Sequence, residues 1–281
     1  MNKTKQHLAL WLFLTGFAAC LSAQSIFEAF SVSDNKWVTF SKGNLQLVGS
    51  TWQFASSQLE WFGTAQYNGH LDMFPYASYS APDDGLDWYT LSLYEWKHLF
   101  TTPPVLNTLS DGARYTMTTI ADSVNGLIIF PDFYIHPAGT DFEAGVYNGS
   151  SNFSSTVSLE GWEKMEKAGC VFLPAAGYCS MGKTWNRVGT AVCYSSSTPT
   201  DGYYYDPYFI PSGVYLTETS NKLTWSSVRL VRDVEINVDA ISEPFESSKS
   251  SDSEWYDLNG CRISHPSKGI YVNGGKKRLV R

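Results

Sequence analysis

Ser92-Leu93-Tyr94-Glu95-Trp96-Lys97-His98-Leu99-Phe100 is the stretch that decides the fold class. Leu93, Trp96, Leu99 and Phe100 recur at helical spacing on one face. Ser92 stands where an N-cap belongs, with Glu95 three residues on, the pattern of a capping box. Thr102-Pro103-Pro104 ends the helix, because proline lacks an N–H and fixes φ. Helical periodicity returns over Leu159 to Ala168, where Trp162, Met165 and Glu166 are spaced accordingly and Gly169 follows as a stop. Two short helices in a chain otherwise patterned for strands and long loops predict an α+β fold with mainly antiparallel sheets.

On the N-terminal side, Trp37-Val38-Thr39-Phe40 and Leu45-Gln46-Leu47-Val48 flank the polar link Ser41-Lys42-Gly43-Asn44, which predicts a hairpin. Trp52-Gln53-Phe54 alternates as a strand does. Residues 67–88 are rich in Tyr, Gly, Ser, Pro and Asp and read as a long loop. On the C-terminal side, residues 114–117 and 123–130 read as strands, the second apolar enough to be buried. Residues 132–155 read as another loop. Residues 171–178 form a strand running into a turn, residues 188–195 a further strand, and residues 179–187 a polar link between them. Tyr203, Tyr204, Tyr205 and Tyr208 fall in a Gly/Pro-punctuated stretch read as a late loop region. Residues 214–216 and 227–231 close the body.

Composition then changes. Residues 233–254 contain Ser247-Ser248-Lys249-Ser250-Ser251-Asp252-Ser253, which has no apolar periodicity and reads as a linker. Residues 255–281 resume a β-pattern with Asn259-Gly260 and Asn273-Gly274-Gly275 at turn positions. This small β-unit is too short to be stable alone. The expected organisation is a body over 24–232, a linker over 233–254 and a β tail over 255–281.

The first 23 residues predict export. Lys3 and Lys5 precede an apolar run from Leu8 to Ala19, and Ser22-Ala23 offers a small-residue cleavage site before Gln24. Such a run is too short for a membrane span. Phe17-Ala18-Ala19-Cys20 offers the less favoured route of lipidation at Cys20. A secreted or cell-surface location follows on either route. Removing the leader takes two lysines and no acid from 20 basic and 27 acidic residues, leaving −9; residues 255–281 hold six basic and one acidic side chain, so the rest of the mature chain carries −14. An acidic body repels nucleic acid and anionic lipid.

Several segments recur together in a known group. Phe40-Ser41-Lys42-Gly43-Asn44-Leu45-Gln46, the Trp88-to-Phe100 stretch, Phe172-Leu173-Pro174-Ala175-Ala176-Gly177-Tyr178, Tyr194-Ser195-Ser196-Ser197 and Ser227-Val228-Arg229-Leu230-Val231-Arg232 resemble exported proteins of Bacteroides–Prevotella bacteria. Those are similar to the Fibrobacter succinogenes major paralogous domain, related to the formylglycine-generating-enzyme branch of the C-type-lectin-like fold. The resemblance covers residues 28–232 and implies a C-type-lectin-like body. The tail residues 256–260 and 268–272 resemble C-terminal type IX sorting segments, with Cys261 where an arginine is usual. A sorting tail implies contact with the export machinery.

Candidate site residues fall into three sets. Trp185, Tyr203, Tyr204, Tyr205 and Tyr208 lie where lectin-like folds present ligands, and aromatic faces stack on sugars or anchor protein partners. Asp83, Asp84 and Asp87 gather carboxylates of the kind calcium takes. Lectins of this fold that hold sugar through calcium use Trp-Asn-Asp, whereas Trp185-Asn186 is followed here by Arg187. Cys179 and Cys193 flank a link between strands and read as a disulfide or as two buried thiols, with Cys170 an equal partner for Cys193. A bridge closing a loop of this size stabilises by about 3 kcal/mol in the chain-entropy model. The formylglycine-generating relatives use a close cysteine pair to hold copper, so the resemblance also admits a divergent oxidase. No Gly-x-Ser-x-Gly, His-Glu-x-x-His, Cys-x-x-Cys or phosphate loop occurs, and His70, His98, His136 and His265 are scattered. His136, four residues after Asp132, is either a metal ligand or an ordinary polar loop residue. The favoured expectation is a non-enzymatic binding module for glycan or protein, and the alternatives are a structural or adhesin-type component and the oxidase.

Overall fold

A computed structural model describes residues 27–61, 70–109, 113–140, 142, 153, 155–200, 203–210, 213–221, 223–236, 255–258, 262–273 and 276–280. The leader with Cys20, most of the linker, and Cys261 lie outside the described residues. The chain divides into two compact units, one up to Val234 and one from Glu235 onward. The first is a mixed α+β body of small, mostly antiparallel sheets with two helices among the described residues. The second is a four-stranded antiparallel sheet, ordered Arg262–Ile263, Trp255–Tyr256, Gly269–Asn273 and Lys276–Val280. No helix among the described residues is long and apolar enough to cross a membrane.

Helix α1 spans Leu93–Thr101 and starts at the predicted box: the Ser92 hydroxyl accepts from the Glu95 N–H at 3.3 Å, and the Glu95 carboxylate accepts from the Ser92 N–H at 2.7 Å. Leu93, Trp96, Leu99 and Phe100 are all buried. Helix α2 spans Leu159–Lys167, capped by Ser158, whose hydroxyl accepts from the Gly161 N–H at 3.0 Å. Gly169, at φ +93°, turns the chain away, and a Cβ there would strike the Phe27 carbonyl.

Between the helices lies a sheet ordered Ser155–Val157, Tyr115–Ile120, Val124–Ile129 and Val171–Pro174, its first pair parallel and the others antiparallel. Met117, Leu127 and Leu173 stand side by side across three strands and share a core with Trp96, Leu99 and Phe100 of α1. On the alternate face, Ile128 and Phe172 pack with Trp162 and Met165 of α2. Burial on both faces explains why residues 127–130 read as an unbroken apolar run.

Arg114 and Asp132 form a buried bidentate pair at 2.8 and 3.0 Å. Arg114 also donates to the Thr102 and Phe130 carbonyls and the Ser31 hydroxyl, while Asp132 accepts the Ser31 and Val105 N–H groups. Each charge is thus held by several partners, and removing either one strands the other, at a cost of about 3–5 kcal/mol.

Four local expectations are corrected. Residues 37–40 and 45–48 do not form a hairpin. Lys36–Phe40 pairs with Phe30–Ser33 and Val231–Val234, whereas Leu45–Val48 pairs with Thr51–Phe54 and His70–Leu71. The link between them crosses from one sheet to the next, because Ser41 and Leu45 donate their N–H groups to Leu230 and Val228. The loop over 67–88 contains the short strands His70–Leu71 and Met73–Pro75. The polar link over 179–187 is itself a hairpin of Tyr178–Ser180 and Thr184–Asn186. The late loop region is a long hairpin, Tyr203–Ile210 against Gly213–Asn221. Its register shifts between Asp206 and Tyr208, so Pro207 occupies a bulge, one of the few places a strand admits proline.

Candidate functional site

The body carries a groove of about 670 Å³, within the range of ligand pockets, whose lining includes the rings of Phe40, Trp52, Phe54 and Trp88. Trp52 and Phe54 come from Thr51–Phe54, where alternation turns both rings toward the core formed by Leu45, Phe74, Val228 and Leu230. Trp52 leans on Phe74 with centroids 4.9 Å apart, and Phe54 meets Trp88 nearly edge-on at 5.0 Å. The rings are therefore braced from behind and keep their orientation without a ligand.

Trp88 is fixed from two sides. Its indole N–H donates to Asp84 at 2.9 Å, while the other Asp84 oxygen accepts the Leu86 N–H at 3.0 Å. Tyr89 and Val231 exchange both backbone hydrogen bonds, at 2.8 and 2.9 Å. That pairing joins the loop to Val231–Val234 and sets Trp88 beside Arg232, whose guanidinium carbon lies 5.9 Å from the ring centre. Tyr89 also donates its hydroxyl to Asp233 at 2.6 Å and carries Lys36 over its ring at 4.6 Å.

A second cavity of about 220 Å³ shares Glu28, Thr39, Phe40 and Lys42 with the groove as a common wall. Burial pushes the Glu28 carboxyl above its ordinary range, and nearby Arg232 only partly offsets this. Gln58 lines this cavity and holds three groups at once: its amide oxygen accepts from Phe172 N–H and from Arg229, and its NH₂ donates to the Cys170 carbonyl. Burial lowers the Arg229 pKa to about 10, opposed by Tyr194 and Glu166.

The predicted residues fall as follows. All three aspartates are exposed; Asp84 alone lines the groove, and its carboxylate is engaged by two N–H groups. Among the described residues no group of three or more His, Cys, Asp or Glu side chains is arranged to hold a metal ion. His136 does not join Asp132: its ring bonds Tyr134 and Thr140, while Asp132 is held by Arg114. Trp185 is half-buried, packed with Trp225 around Met73, Ala176 and Cys179. Tyr208 sits 6.4 Å from Tyr178 and 6.3 Å from Tyr215, ring centre to ring centre. The backbone of Tyr203, Tyr204 and Tyr205 belongs to the long hairpin; their side chains lie outside the described residues.

Of the two readings of Cys179 and Cys193, a bridge or two buried thiols, the structure has the second, with Cys170 likewise free and buried. Geometry explains why. Cys179 stands opposite Trp225 in register, so both point to one face of Thr224–Ser227. Ser226, next in the strand, points to the other face, where its hydroxyl lies 3.5 Å from the Cys193 sulfur and donates to Asp206 at 2.8 Å. The two thiols are separated by the strand itself. Burial, and then the neighbouring Asp206 charge, push the Cys193 thiol well above its usual range, so it stays protonated.

Comparison of the chain with protein-family models, with curated proteins and with solved structures gives no match. In the sequence Trp52 reads only as a strand residue, Trp88 as the residue ending a loop ahead of the helix and Arg232 as a strand end. Nothing local in the chain marks them as neighbours.

Proposed function

We propose that the chain is an exported, non-enzymatic binding module that holds a glycan in the groove between Trp52 and Trp88. The observation that carries this reading is the groove itself: Phe40, Trp52, Phe54 and Trp88 line it, the last three packed on the core behind them, together with the polar residues Glu28, Gln53, Ser56 and Arg232. Sugar rings present apolar C–H faces that stack on such rings, and hydroxyls that take hydrogen bonds from such neighbours. The C-type-lectin-like architecture suggested by residues 28–232 supports the same reading, as do the leader and the sorting-like tail, which suit a secreted or surface location. The acidic body argues against nucleic acid as a partner.

A structural component without a pocket accords poorly with so large an aromatic recess. An oxidase of the paired-thiol kind accords poorly with two sulfurs on opposite faces of one strand, one of them held protonated.

Screening the full mature chain on an array of immobilised polysaccharides and oligosaccharides tests the proposal. Enrichment on a related set of glycans is the expected result; binding to none of them would remove the glycan reading.

A further inference from the structure

We propose that the groove selects saccharides bearing a carboxylate, with sugar rings on Trp88 and Trp52 and the carboxylate on Arg232. This rests on the glycan-binding reading and names the class of sugar. Two of the body's other described arginines and several of its lysines are already engaged, and Arg187 is exposed on the Thr184–Asn186 side, outside the groove lining. Arg114 is bound by Asp132, Arg229 donates to Gln58 and Asn44, Lys36 pairs with Glu95, and Lys164 with Glu160. The side chains of Arg232 and Lys42, both on the groove wall, make no hydrogen bond or ion pair among the described residues; Arg232 rests on Trp88 and acts on Glu28 only at longer range.

The groove also holds two acids: both Asp84 oxygens are turned to the Leu86 and Trp88 N–H donors, and Glu28, whose carboxyl burial raises and Arg232 lowers, forms no ion pair with either cation. A guanidinium over an indole is attracted to the ring, and its planar fork can offer a carboxylate two parallel N–H donors. A neutral sugar stacked on Trp88 would cover that guanidinium without giving it a charged acceptor. The rest of the body is strongly acidic, so attraction of an anion by this wall arises at contact range.

The test compares matched pairs on the full mature chain by titration calorimetry: oligogalacturonate against its carboxyl-reduced product, and sialyllactose against lactose. At least one acidic member should bind about tenfold or more tightly than its neutral partner, the scale of one charge-assisted hydrogen bond. Arg232→Gln should bring the pair within about twofold of each other, and Arg232→Lys, which keeps the charge and loses the planar fork, should fall between. Unchanged thermal unfolding of both variants excludes a folding defect. Equal, Trp88-dependent binding of acidic and neutral members would overturn the carboxylate preference and leave the glycan reading standing. So would array enrichment confined to neutral glycans. Binding of no saccharide at all would overturn both.

Discussion

The guanidinium carbon of Arg232 lies 5.9 Å from the centre of the Trp88 ring, although 143 residues separate them in the chain. Tyr89 and Val231 bring this about by exchanging their backbone hydrogen bonds, which fixes the adjoining residues side by side. The groove is thus a tertiary construction whose parts come from an edge strand, a loop and the last strand of the body.

Because Asp84 is committed to Trp88 and Leu86, glycan binding should not require calcium. Affinity for a glycan selected on the array should be the same in excess EDTA and in added calcium. Loss of binding in EDTA that calcium restores would show that the aspartates serve a metal after all.

Glu95 should make the stability of α1 depend on acid pH. Burial pushes its carboxyl up, but the Lys36 ammonium and the Ser92 donors outweigh this and hold it below the usual range. A carboxyl depressed in the folded state adds stability that is present above the unfolded pKa and lost as pH falls through the folded one. Glu95→Gln should therefore cost about 1 kcal/mol at pH 7, the scale of a helix cap. In denaturant titrations that difference should shrink once pH drops below the ordinary glutamate value. A constant difference at every pH would mean that the loss comes from shape and not from charge.

Glu28 should behave in the opposite way. Its carboxyl is raised by burial, so its ionised form disfavours the fold above the folded pKa, and the penalty disappears as pH falls to the unfolded value. Glu28→Gln is expected to raise the melting temperature at pH 7 and to have little effect near pH 4. Destabilisation at neutral pH would show that the carboxylate is bound to a partner it needs, Arg232 being the candidate.

How much of this was legible in the chain depended on distance along it. Helix α1 was readable because its cap, its box partner and its four buried residues all fall within nine positions, Ser92 to Phe100. The buried strand over 124–129 was readable because burial on both faces leaves a continuous apolar run. The supposed hairpin at 41–44 was not, since the choice between pairing locally and crossing to another sheet is made by the carbonyls of Leu230 and Val228. Pro207 and the flanking glycines looked like loop signals, yet a bulge accommodates the proline within a long hairpin. Trp185 and Tyr208 drew attention as aromatics in a polar stretch, whereas Trp52 and Trp88 looked like ordinary β and loop residues until non-local contacts brought them together.

The cysteines should be inert in the folded protein. Cys170, Cys179 and Cys193 are buried, and burial raises the pKa of each thiol. Alkylation followed by mass spectrometry should label these three only after unfolding, without prior reduction. Rapid labelling in the native state, or recovery of a bridge that includes Cys179 and Cys193, would contradict the separation of the two sulfurs by the strand Thr224–Ser227.

The most direct test compares Trp88→Ala with Trp185→Ala by calorimetry, using a glycan enriched on the array. Removing a stacking ring from a binding groove costs about 1–3 kcal/mol, so Trp88→Ala should weaken binding about tenfold or more while Trp185→Ala binds as the unaltered chain does. Full affinity in Trp88→Ala together with loss in Trp185→Ala would place the ligand on the late aromatic cluster and contradict the account.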